Sequence, residues 1–236
     1  SFEILTDIKL LELSDFSNAL LKQLLVTAPG TFHHSIMVGA LAESGAEAIG
    51  VNAIFARVAS YYHDIGKMKR PEFFVENQRD GKNIHNTIKP SLSALIITSH
   101  TKDGYIMGKQ NKLPKEILDI ILCHHGTTLV QFFYYKSLEK GEYVLENDFR
   151  YSGPKPKSKE AGIIMLADTI EAAVRVSEDK SREGIENLIR YLIKYKLDDN
   201  QMSDSELTLG EIEKVIQAFL NTLQGAYHNR IKYPSR

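Results

Sequence analysis

The sequence holds one cysteine, Cys123, so no disulfide can form within the chain, which fits a reducing compartment. It has no run of about 18 apolar residues, so no segment reads as a membrane span, and no signal peptide is visible. It also has no excess of charge. Twenty-nine basic and 30 acidic side chains leave a net charge of −1, against broad electrostatic binding to a nucleic acid polymer. A local basic patch would be hidden in that sum. There is no Walker-type glycine-rich loop, no G-x-S-x-G elbow, no H-E-x-x-H and no cysteine pair for structural zinc. Cys123 and His124 are sequence neighbours near a helix end, which gives no reason to expect a Cys-His nucleophile. No internal repeat or low-complexity tract occurs, and strand signal is confined to Tyr143-Val144-Leu145.

What is present is helical periodicity. Phe16, Leu20, Leu21, Leu24 and Leu25 form an apolar stripe stopped by Pro29-Gly30. Met37, Val38 and Leu41 mark a second helix ending at Gly50, and Asn52 caps a third with Phe55, Val58, Ala59 and Tyr62. Leu92, Leu95, Ile96 and Ser99 predict a helix with His100 near its end, and Pro114 opens one through Ile117, Leu118, Ile121 and Leu122. A helix from about Ser158 carries Ile164, Met165, Asp168 and Ala172. Ile185 to Ile193 follow as one buried face. Thr208-Leu209-Gly210-Glu211 is a capping-box pattern before Ile212, Val215, Ile216, Phe219 and Leu223. Thr101–Lys112 and Gly153–Ser158 read as loops too short to be domain linkers. At 236 residues the chain is expected to be one all-α domain. It opens at Ser1 rather than Met, with little turn punctuation, as expected of a piece of a longer protein.

Five of the eight histidines lie at or near the ends of apolar helical segments, where core meets cleft: His34, His63, His100, His124 and His125. His34 shares a stripe with Met37, Val38 and Leu41, which points its ring inward, although periodicity alone does not separate it from His33. His63-Asp64 ends a helical run, and neighbours about 100° apart can face one cavity while supplying an imidazole and a carboxylate. Asp168 falls among Ile164, Met165 and Ala172, where burial is costly unless the carboxylate is paired or bound to a metal. Pairing with Arg175 or a nearby lysine is the competing reading for Asp168, a hydrogen-bonded core role is the competing reading for each histidine, and Cys123 reads as a buried, inert thiol. His33, His85 and His228 receive no ligand role.

The order His34, His63-Asp64, His100, His124-His125, Asp168 resembles the HD-domain metal-dependent phosphohydrolase superfamily, whose minimal pattern is H…HD…D. The stretches Pro29–Ser35, Tyr61–Lys67 and Pro71–Gln78 sharpen this. They resemble the cytoplasmic catalytic domain of the seven-transmembrane-receptor HD phosphodiesterases of the PgpH type, which hydrolyse cyclic di-AMP; the likeness runs from about Leu13 to Leu223. The related HD-GYP branch, which cleaves cyclic di-GMP, has Glu after its histidine pair and a later Gly-Tyr-Pro. Here Gly126-Thr127-Thr128 follows the pair and no Gly-Tyr-Pro occurs, which counts against cyclic di-GMP.

The resemblance implies a single HD phosphohydrolase domain over residues 1–236, a multi-helix bundle around a bimetallic site, in the cytoplasmic part of a cell-membrane protein. It implies two transition-metal ions, Fe or Mn, one on His34, His63 and Asp168 and the other on His100, His124 and His125, with Asp64 bridging. It identifies His34, not His33, as the ligand. Asp64 and Lys67 are the catalytic candidates. Lys67, Arg70, Lys155, Lys157 and Arg175 are candidates for substrate phosphate, and no aromatic is singled out for the bases. The implied reaction is hydrolysis of cyclic di-AMP to linear 5′-pApA by metal-activated water. The membrane is reached only through segments outside this chain, and a homodimer is compatible with it. The rival readings are another HD nucleotide phosphohydrolase, acting on cyclic di-GMP or a deoxynucleoside triphosphate, and a sensor that binds a nucleotide without cleaving it.

Overall fold

The computed structural model describes residues 5–78 and 83–228, excepting the side chains of residues 227 and 228. Its ten α-helices are α1 (Asp7–Ser14), α2 (Ala19–Thr27), α3 (Pro29–Ile49), α4 (Ala53–Tyr62), α5 (Pro90–Gln110), α6 (Lys115–Cys123), α7 (Gln131–Glu139), α8 (Lys159–Val176), α9 (Arg182–Asp198) and α10 (Leu209–His228). Among the described residues there is no strand, only an isolated antiparallel bridge between Leu129 and Arg150. The fold is all-α.

Polar caps set most of these boundaries. Asn18 Oδ1 accepts from Leu20 N, Asn52 Oδ1 from Phe55 N and Ser158 Oγ from Ala161 N. Gly50 closes α3 in the left-handed region at φ 73°. At α10 the capping box forms in full: Thr208 N donates to Glu211 Oε2 at 2.9 Å, and Glu211 N donates to Thr208 Oγ1 at 3.2 Å.

Two sequence expectations are corrected. Thr101–Lys112 is not a loop; α5 runs through it to Gln110, so His100 sits mid-helix. The polar character of that stretch belongs to the outer face of the helix, while Thr101, Gly104 and Gly108 are buried on its inner face. Tyr143–Leu145 is not a strand: no described segment pairs with it, and Tyr143 is almost wholly exposed. Pro29 does stop α2, and the same residue then serves as the first residue of α3.

Helix α3 is the central element and packs against α4, α8 and α10. Leu41, Val38, Ala59, Ile163, Ile164, Val215 and Phe219 are among the fully buried residues of the main core. Helix α5 lies to one side, against α6, α7 and the short 3₁₀ turn Ile65–Lys69 that follows α4. The approach of that turn to α5 depends on glycine. A Cβ on Gly66 would stand 1.9 Å from the His100 carbonyl oxygen and 2.5 Å from Gly104 N. This contact sets the His63-Asp64 end of α4 directly across from His100.

Candidate metal centre

Five segments bring seven side chains together. His34 comes from α3, His63 and Asp64 from the end of α4, His100 from α5, His124 and His125 from the end of α6, and Asp168 from α8. All are buried except His125, which is partly exposed. Their donor atoms form two groups, His34–His63–Asp64–Asp168 and Asp64–His100–His124–His125, each lying within 4.8 Å. Asp64 belongs to both, and its two oxygens divide between them. Oδ2 faces His63 Nε2 at 3.2 Å and His34 Nε2 at 3.7 Å. Oδ1 faces His100 Nε2 at 3.2 Å and His124 Nε2 at 3.5 Å. Asp168 closes the first group through His34 Nε2 at 2.9 Å and reaches His125 Nδ1 at 3.4 Å.

The backbone fixes how the rings present themselves. His63 Nδ1 donates to the Ser60 carbonyl at 2.6 Å, His100 Nδ1 to Ile97 at 2.6 Å and His124 Nδ1 to Ile121 at 2.9 Å. A carbonyl only accepts, so each Nδ1 carries a hydrogen, and each ring in its neutral form turns an Nε2 lone pair inward; for His63 a metal would take the place of the Nε2 proton that Asp64 and Asp168 otherwise favour. His100 Nε2 and His124 Nε2 then meet at 3.2 Å, lone pair against lone pair. His63 Nε2 and both Asp64 oxygens are buried with no properly directed hydrogen bond. Converging lone pairs and an unsatisfied shared carboxylate are what a bound cation would satisfy, and imidazole with carboxylate suits transition metals. The donor set therefore fits a metal.

Charge in the cluster is strongly polarised. Burial opposes ionisation of Asp64 and Asp168, yet His63 and Lys67 hold the first carboxyl, and His125 and His34 the second, well below the usual range. Burial disfavours charge on His63 as well, but Asp64 and Asp168 outweigh it and raise the ring to about 10. His124, buried without comparable compensation, falls to about 4. Cys123 is pushed up to about 12 by burial and stays a thiol.

Around this cluster lie residues that the spacing of the sequence did not single out. Glu171, one helical turn after Asp168 on α8, accepts from His34 Nδ1, and that i+3 spacing was a readable signal. Glu76 Oε1 takes Lys67 Nζ at 2.9 Å and Thr31 Oγ1 at 3.1 Å, while Lys67 also reaches Asp64 Oδ2 at 2.7 Å. Tyr151 stacks on His125 with ring centroids 4.3 Å apart. A cavity of about 430 Å³ opens over the cluster, lined among others by Lys67, Phe74, His125, Tyr151, Arg175 and Lys196.

Of the candidate phosphate contacts, the structure thus brings Lys67 and Arg175 to the cavity. Arg70 turns to Asp103 and Ser99, and Lys155 and Lys157 line a separate cleft with Cys123 and Phe55. Arg175 faces Glu171 at 3.7 Å and forms no ion pair with Asp168. His33 is exposed, and His85 hydrogen-bonds the Phe73 carbonyl away from the cluster. The side chain of His228 lies outside those described.

The sequence profile of the HD domain matches residues 31–173, a span that contains all seven clustered side chains. The chain belongs to the HD domain family. This HD domain is 50% identical over 233 residues to the cyclic-di-AMP phosphodiesterase PgpH of Bacillus subtilis (strain 168), covering 99% of this chain and 33% of that protein. It is 47% identical to the PgpH of Listeria monocytogenes serotype 1/2a (strain 10403S), over 99% of this chain and 32% of that one. The chain thus spans about a third of the length of these relatives. It is also similar to the crystal structure of the L. monocytogenes phosphodiesterase PgpH HD domain in complex with cyclic-di-AMP. There the TM-score is 0.87 and the identity 46%, over 91% of this chain and all of that one.

Proposed function

We propose that this HD domain is the catalytic domain of a metal-dependent phosphodiesterase that hydrolyses cyclic di-AMP to linear 5′-pApA. The observation that carries the reading is Asp64, shared by two donor groups whose members His34, His100, His125 and Asp168 line a cavity of about 430 Å³. The substrate follows from the relatives named cyclic-di-AMP phosphodiesterase and from the similar HD domain in complex with cyclic-di-AMP. His34, His63 and Asp168 would hold one metal, and His100, His124 and His125 the other. Asp64 spans both. The ions are Fe or Mn, since imidazole-rich sites suit them better than Mg. When bound, two such ions supply Lewis acidity that lowers the pKa of water and neutralises phosphoryl charge.

The chain's own residues do the rest. Asp64 divides its oxygens between the two groups, and the helix carbonyls behind His63, His100 and His124 keep their Nε2 atoms aimed inward. Glu171 orients His34. Lys67, held between Asp64 and Glu76, is a fixed positive charge beside the scissile phosphate. Tyr151 and Phe74 are the cavity aromatics that can receive a base. Water adds to phosphorus and the P–O3′ bond breaks, leaving a 5′-phosphate and a 3′-hydroxyl.

Residues 1–236 serve as the cytoplasmic HD domain of a longer membrane protein. The support is the resemblance to the seven-transmembrane-receptor HD phosphodiesterases and the coverage of about a third of the length of the PgpH relatives. The test is to incubate protein loaded with Mn or Fe with cyclic di-AMP, cyclic di-GMP and dGTP in parallel and to identify products by liquid chromatography. The expected result is 5′-pApA as the fastest product. Faster cleavage of cyclic di-GMP or dGTP, or binding of cyclic di-AMP without cleavage, would overturn the proposal.

A further inference from the structure

Three cations line the cavity: Lys67, Arg175 and Lys196. Two are already matched by carboxylates, Lys67 by Asp64 and Glu76 and Arg175 by Glu171. Lys196, on α9, is different. It is 3% exposed, and its one hydrogen bond among the described residues is from Nζ to Thr128 Oγ1 at 2.9 Å. No described carboxylate forms an ion pair with it. Asp199, three residues on, is occupied by Arg150 at 2.9 Å and by Gln201 at 3.0 Å. An ammonium has three hydrogens to donate, and an unpaired buried charge costs folding free energy. That cost shows in its acidity: burial lowers Lys196 to about 8.

The surrounding structure holds the group in place. Thr128 belongs to the turn that follows His125, and this turn is braced by α9, by the segment after it and by Arg150 from the segment before α8. Gly126 takes φ +54°, Gln201 Oε1 accepts from Thr127 N at 2.8 Å, and Arg150 Nη1 donates to the Thr127 carbonyl at 2.8 Å. Lys196 is thus tied to the wall of the cavity that carries His125, yet it contacts none of the seven clustered side chains.

A cyclic dinucleotide brings two phosphodiester charges into the cavity. The phosphate being cleaved is answered by the metal centre and Lys67, which leaves the other without a partner. We infer that Lys196 binds the second, uncleaved phosphate of the substrate and so selects two-phosphate rings over single phosphodiesters. This inference rests on the phosphodiesterase reading. Lys196 is a binding residue that discriminates substrates and takes no part in bond cleavage.

The test uses Lys196→Met, which keeps the aliphatic stem and removes the charge, with Lys196→Gln as a second variant. Affinity is measured for cyclic di-AMP and for adenylyl-3′,5′-adenosine, which keeps both bases and one diester but lacks the second phosphate. The expected result is at least about tenfold weaker binding of cyclic di-AMP, with a change of less than about threefold for the single diester. Thermal midpoints of both variants should equal or exceed wild type, because an unpaired buried charge has been removed. A lower midpoint or loss of fold in both variants would make Lys196 a structural tie to Thr128 and overturn the inference. Equal losses for the two ligands, or none, would also overturn it. If wild type itself fails to cleave cyclic di-AMP, the proposed function fails instead, which separates the two ideas.

Discussion

At the scale of single residues, the site depends on which atoms each side chain turns inward. His33 and His34 are neighbours of equal ligand chemistry, and helical periodicity could not choose between them. The fold separates them, placing His33 in solvent and His34 between Asp168 and Glu171. His34→Ala should therefore release one metal and nearly all turnover, whereas His33→Ala keeps both metals; elemental analysis reads the difference, and equal losses would refute the assignment. Asp64→Ala should be the most damaging single change, since no other side chain belongs to both donor groups. Turnover should fall by roughly 10³-fold or more while circular dichroism still reports a folded helical protein. The seven clustered residues were legible in the sequence through the resemblance to the H…HD…D pattern, which chose His34 where periodicity left His33 open. Glu76, Tyr151 and Lys196 were not, because their place in the cavity comes from tertiary packing that no spacing encodes.

At the scale of elements, three helix starts were read from their capping side chains, whereas the caps of α1 by Thr6, of α2 by Asn18 and of α9 by Ser181 were not. Asn52, Ser158 and the Thr208–Glu211 box all act as their residue types predict. Thr208→Ala should cost about 1 kcal/mol in chemical denaturation, the usual worth of such a cap. Glu211 adds a pH dependence. Its ion pair with Lys159 and its bonds to Thr208 lower its carboxyl to about 2 in the folded chain, against about 4.3 unfolded. A depressed folded pKa contributes stability that is present above the unfolded value and is lost as pH falls from about 4.3 toward 2. Glu211→Gln should flatten that part of the acid limb in thermal melts, and an unchanged limb would contradict the assignment. The misread element was α5, whose polar outer face passed for a loop; its inner-face glycines were the missing clue. Gly66→Ala tests that contact, because the added methyl meets the His100 backbone and not a movable side chain. It should cost at least about 2 kcal/mol and lower metal affinity together, since the turn that carries Asp64 must move from His100.

At the scale of the whole molecule, one central helix, α3, ties the N-terminal helices to α8 and α10, so His34 and Asp168 face each other from the core outward. The all-α class followed from periodicity and from sparse strand signal, and the structure agrees. The convergence of five segments on one carboxylate did not follow from periodicity. It is a property of topology, and only the ordered pattern of histidines and aspartates hinted at it. The central claim is that this convergence builds two metal sites sharing Asp64. The most direct measurement is metal stoichiometry by elemental analysis on protein prepared anaerobically with Fe or Mn supplied. Two ions per chain in the wild type, and a loss of bound metal in Asp64→Ala, are the predicted result. One ion or none in the wild type would contradict it.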